Sequence, residues 1–145
     1  GDEFEQWPLH VTVMPWFSLP EGRLAPFDNR LRNMMHNYKP MTMTGKQEAM
    51  FGPESDVRVR VVGDLGAFAV MHEALRGLVN DNGGEVLSPY VGDAFVPHVT
   101  FQGEQGIDEG QVITLSGLHL VAGDATGPRE VRKQYRFMKG QPKRG

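Results

Sequence analysis

The chain has 145 residues, 39% hydrophobic and 23% charged, as in a soluble globular protein long enough to bury a substantial core. It has no cysteine, which excludes disulfides, thiolate metal sites and a cysteine nucleophile and fits a cytoplasmic setting. A net charge of −3 excludes a polycation that coats nucleic acid, so a nucleotide ligand would need a local basic cleft.

No apolar run approaches the roughly 18 residues that span a membrane. The acidic start, GDEFEQ, lacks the apolar region of a signal peptide. Residues 9–14 alternate as a strand, with Val11 and Val13 on one face and His10, Thr12 and Met14 on the other. Pro15 ends it. Residues 26–38 read as a helix opened by Pro26, with Phe27, Leu31, Met34, Met35 and Tyr38 on one stripe. Residues 41–51 favour a strand bulged at Gly45. Residues 57–62, VRVRVV, form a half-buried strand with Arg58 and Arg60 on its polar face. A second helix is expected over 65–80, closed by NDNGG. Residues 86–95 read as loop and 97–102 as a strand. Strands 111–122 and 130–138 are joined by the turn GDATGP. The order β-α-β-β-α-β-β-β lacks strict βαβ alternation, so the expectation is an α+β fold with a largely antiparallel sheet. No linker splits the chain. A single domain is expected over 1–145, with a flexible basic tail at 139–145.

The tripeptide His-Val-Thr occurs twice, in LHVTV at His10–Thr12 and in PHVTF at His98–Thr100. In a strand, residues i and i+2 share a face about 7 Å apart, so each copy presents an imidazole and a hydroxyl on one platform. Two histidines near neutral pH can split a proton-transfer reaction, one taking a proton from the nucleophile and one giving a proton to the leaving group. Two threonine hydroxyls can donate to non-bridging oxygens. That set suits in-line displacement at phosphorus and needs no metal or other cofactor.

The paired motifs resemble the signature of the 2H (two-histidine) phosphoesterase superfamily, which carries two copies of His-x-Thr/Ser, each followed by an apolar residue. The family includes RNA 2′,3′-cyclic phosphodiesterases, formerly described as 2′-5′ RNA ligases. It also includes ADP-ribose cyclic phosphate phosphodiesterases and phage enzymes that cleave cyclic oligonucleotides. The resemblance spans roughly residues 7–138 and implies two α+β lobes, mostly antiparallel with helices outside, facing each other across a cleft. It implies catalytic roles for His10, Thr12, His98 and Thr100. It also implies that opening a 2′,3′-cyclic end leaves a 2′-phosphate, with His10 as acid and His98 as base. The partner would be a nucleotide or RNA end, met by a monomer without a membrane. One departure stands out: familiar members carry a strand and a helix before the first motif, whereas nine residues precede His10 here.

Other residues divide between function and packing. Trp16 either walls a base or closes the core, and Phe17 reads as core. Tyr90 and Phe95, before the second motif, are candidates to touch ligand. Gln102 continues the His98–Thr100 face. Arg58 and Arg60 either contact phosphate or sit on a solvated face, and Lys46 and Arg132 are weaker versions of the same idea. His36, His72 and His119 read as surface or structural histidines, with His119 expected to pack. A zinc site would need Asp93, Glu104 or His119 as a third ligand. DNGGE lacks the lysine of a phosphate loop. The rival functions are a nucleotide-binding module of the same fold without turnover, and an enzyme acting on cyclic oligonucleotide signals.

Overall fold

The computed structural model describes residues 3–4, 9–64, 66–122 and 129–139. The expected GDATGP turn, Leu65 at the expected start of the second helix, the basic tail after Lys139 and most of GDEFEQ lie outside the described residues. In chain order the elements are β1 (Glu3–Phe4), β2 (Phe17–Ser18), α1 (Leu24–His36), β3 (Met41–Phe51), β4 (Val57–Gly63), α2 (Ala67–Asp81), β5 (Glu85–Val86), a 3-10 turn (Gly92–Ala94), β6 (His98–Thr100), β7 (Val112–Leu115), β8 (Gly117–Ala122) and β9 (Arg129–Arg136).

Both helices follow their apolar stripes. In α1, Phe27, Leu31 and Met35 recur every four residues and are buried, each contributing about 1.5–3 kcal/mol of burial. Pro26 sits in the first turn, where a missing N–H costs little. The helix ends as the amides of Asn37 and Tyr38 turn back to the carbonyls of Met34 and Met35, ahead of Pro40. In α2, the Asp64 carboxylate accepts the N–H groups of Gly66 and Phe68, capping the helix from outside its first turn. Its buried face carries Phe68, Met71, His72, Leu75, Leu78 and Val79.

The strands form a four-stranded sheet in the order β6-β4-β3-β7, a three-stranded sheet β1-β9-β8 and the short pair β2-β5. Every pairing among the described residues is antiparallel. The fold is therefore α+β. The β3–β4 register shifts between Gly45 and Glu48, at the glycine where a bulge is expected.

The four-stranded sheet has two unlike faces, because directly paired residues share a side. Met41, Met43, Val62 and Val99 lie on the core side and join the buried cluster with both helices. Thr42, Thr44, Thr114, Val61, His98 and Thr100 occupy the other side.

Two expectations need correction. Residues 9–14 are not a regular strand: only Val11 makes a bridge, to Val99. The carbonyl of Val13 is used by a side chain, the His72 ring, rather than by a ladder partner. Residues 111–122 are two strands, not one. The chain changes sheets at Ser116, whose carbonyl accepts from Phe137. A Cβ on Gly117 would lie 2.6 Å from the Tyr135 carbonyl oxygen, so only glycine fits that crossing. Among the described residues, no helix is long and apolar enough to cross a membrane.

Candidate active site

His98 and Thr100 begin and end β6, an edge strand. Their partners across β4 are Val61 and Val59, which places both side chains on the face opposite the core. The valine between them, Val99, is 2% exposed and anchors the strand. The His98 ring is fixed twice. Its Nδ1 lies 2.7 Å from the Val96 carbonyl oxygen, and Phe51 meets it edge-on with ring centroids 4.9 Å apart. A carbonyl only accepts, so Nδ1 carries the hydrogen.

The first motif reaches the free edge of β6. Val11 pairs antiparallel with Val99, centre to centre of the two His-Val-Thr copies. His10 and Thr12 flank that bridge on one side, as His98 and Thr100 flank it on β6. Val11 packs against the buried cluster and Val99 is buried within it.

A family model, the 2′-5′ RNA ligase superfamily, matches residues 1–109, which hold both motifs. The chain belongs to this superfamily. Among solved structures it is similar to TT0787 of Thermus thermophilus, at 20% sequence identity and a TM-score of 0.63, over 90% of this chain and 78% of that one. This likeness concerns the fold. No curated protein matches the chain.

Around the superfamily motifs, the remaining candidates fall in different places. Arg58 and Arg60 alternate with Val59 and Val61, so they lie on the face away from His98 and Thr100. Arg58 pairs with Glu48 at 2.7 Å and lies 4.0 Å over the Phe101 ring. Its guanidinium holds the Glu48 carboxyl below the usual carboxylate range. Arg60 donates to the carbonyls of Ile107 and Lys46. Both arginines are engaged within the fold.

Phe95 stacks on His72 at 4.1 Å with the rings parallel to 2°. Tyr90 is exposed, in the loop before the second motif, with its amide on the Ser88 hydroxyl. Gln102 opens a tight turn closed by reciprocal backbone bonds with Gln105. Trp16 is half-buried beside the first motif, and its carbonyl accepts from Leu87 at 2.7 Å. His36 is exposed and His72 is buried. His119 is exposed on β8 between the half-buried Leu118 and Leu120, not packed as expected. Its parity with Leu115 is lost because the chain changes sheets at Ser116. Among the described residues no three His, Asp or Glu side chains gather as a metal site.

A cavity of about 990 Å³ lies between residues 9–22 and β8. His10, Thr12, Trp16 and His119 line it, together with core residues such as Phe27, Leu31 and Met71. His98 and Thr100 do not. Its walls are largely apolar and reach into the core.

Sequence reasoning missed Phe51 and the Val96 carbonyl. Both contacts depend on tertiary register, and neither has a local signal.

Proposed function

We propose that this chain is a metal-independent phosphodiesterase acting on a nucleotide phosphodiester, most simply a 2′,3′-cyclic phosphate or a 2′-5′ linkage. Membership of the 2′-5′ RNA ligase superfamily supports phosphodiester chemistry. The single observation that carries the reading is the Val11–Val99 bridge, which draws the two His-Val-Thr copies together head to tail.

The neutral His98, with Nδ1–H held by Val96, offers Nε2 as the base. It takes a proton from water as the water oxygen bonds to phosphorus. The bond from phosphorus to the ribose 3′ oxygen breaks, and His10, protonated at the start, gives its proton to that oxygen. A 2′-phosphate results. Thr12 and Thr100 donate to the non-bridging oxygens, where negative charge grows. After turnover His98 is protonated and His10 neutral, and exchange with solvent resets both.

The test is a substrate panel in EDTA: nucleoside 2′,3′-cyclic phosphates, 2′-5′ and 3′-5′ dinucleotides, ADP-ribose cyclic phosphate and cyclic oligonucleotides. Products are resolved by mass spectrometry. His10→Ala and His98→Ala should each cost on the order of 10²–10⁴ in rate, and the wild-type pH–rate profile should be bell-shaped. Full activity in the double variant would sink the mechanism. Product binding without turnover across the panel would replace it with a nucleotide-binding role.

A further inference from the structure

The structure assigns a positioning role to His72, the buried histidine of α2, as a clip that aligns the first motif with the second. This inference rests on the reading of His10, Thr12, His98 and Thr100 as the reacting set.

His72 is 1% exposed, and its ring has a partner on each polar edge. Nδ1 lies 2.8 Å from the carbonyl oxygen of Val13, the residue after Thr12. Nε2 accepts the N–H of Gly92, in the segment that leads to His98, at 3.0 Å. Phe95, three residues before His98, lies flat on the ring. The partners dictate the tautomer: the carbonyl requires Nδ1–H, and the amide requires a lone pair on Nε2. One neutral imidazole thus ties together the approaches to both motifs.

A histidine that only filled the core would not need to meet both approaches. The first motif lacks a sheet ladder of its own. Among the described residues, the backbone of 9–16 is held by the Val11–Val99 bridge and by the Leu87 amide on Trp16. The ring of His72 adds a further hold, directly behind Thr12. Register at a lone bridge is weakly specified, and an added fixed point removes that freedom. A slip of about 1 Å in such an arrangement can cost on the order of 10²-fold in rate.

The test compares His72→Phe with His72→Asn in the full chain. Phenylalanine keeps the ring and its stack but loses both hydrogen bonds. Asparagine places an N–H near the position of Nδ1 and keeps the bond to Val13. His72→Phe should lower kcat by roughly tenfold to 100-fold while KM changes less than about threefold, because alignment rather than binding is lost. His72→Asn should recover most of that kcat.

Two measurements do not depend on turnover. Long-range ¹⁵N–¹H spectra of the wild type should show the Nδ1–H tautomer. Cross-strand nuclear Overhauser contacts between Val11 and Val99 should weaken in His72→Phe and persist in His72→Asn. An Nε2–H tautomer in the wild type overturns the clip outright, even if His72→Phe fails to fold. So does a folded His72→Phe with wild-type kcat and intact Val11–Val99 contacts. A wild type inactive on every substrate would defeat the proposed function, while the spectra would still decide the clip.

Discussion

Phe51 and Val96 constrain the His98 ring independently, one its tilt and the other its tautomer. Phe51→Ala removes the first constraint alone. An aromatic pair of this kind is worth about 0.5–1.5 kcal/mol, so kcat should fall by roughly two- to tenfold, with single-turnover kinetics as the check. The motif residues themselves were legible because a repeated tripeptide is visible without any structure. Phe51 was not, because its contact arises from the hairpin register that sets Phe51 across from Val57. Arg58 and Arg60 were visible as one face of a strand, but alternation does not say which face meets the site. Their guanidiniums lie over the Phe101 ring, so the charged residues cover apolar surface while Val59 and Val61 share the side of His98.

The elements are joined at a few points that titrate or cannot be widened. The Tyr135 hydroxyl on β9 donates to Asp28 on α1 at 2.6 Å. That bond, helped by Arg32 and Lys133, holds the Asp28 carboxyl below its usual range. Burial, and then Asp28, raises the Tyr135 phenol above its usual value. The signs follow from linkage. The Asp28 contribution is present above the unfolded carboxylate value near 4 and is lost as pH falls through the lower folded value. The tyrosine contribution is present below about pH 10 and is lost as pH rises beyond it. Tyr135→Phe should cost about 1 kcal/mol near neutrality and flatten the acid limb of stability, as read from thermal midpoints across pH. Gly45 is a different kind of joint: a Cβ there would strike the Asp108 carbonyl oxygen, and Gly110 donates to the Gly45 carbonyl at 2.9 Å. Gly45→Val should destabilise by about 1–3 kcal/mol in urea unfolding, because the 108–111 loop must lift off β3. The bulge at Gly45 was legible from glycine inside a strand pattern, whereas the loop that demands it was not.

At the scale of the molecule, both helices, β3, β4 and the antiparallel pairing could be read from periodicity, since both helices carry clear stripes and β3 and β4 clear alternation, whereas the two-residue strands β1, β2 and β5 could not. The break at Ser116 could not, because a continuous apolar run carries no sign of which sheet each half joins. Nor could the irregular path of 9–14, because its alternation is that of a strand while the Val13 carbonyl is taken by a helix side chain. The distribution of charge also has a consequence for binding. With Arg58 and Arg60 engaged on the far face and a net charge of −3, substrate capture should depend weakly on salt. Raising salt from about 50 to about 200 mM should change KM for a cyclic nucleotide by less than about fourfold, the response expected for about one phosphate contact. A steeper dependence in steady-state assays would place a larger basic surface against the substrate.

The lone bridge between Val11 and Val99 is an antiparallel pair at the centre of two identical tripeptides, and an antiparallel pair has a local two-fold axis through its middle. Rotation about that axis exchanges His10 with His98 and Thr12 with Thr100. On the proposed mechanism, a phosphate held on the axis would meet the same two residue types from either side. Such a dyad has no built-in direction. Only what surrounds each imidazole, such as the Val96 carbonyl behind His98, tells donor from acceptor. On the proposed mechanism, microscopic reversibility means that the four side chains that would open a phosphodiester would also close one, with the two histidines trading parts.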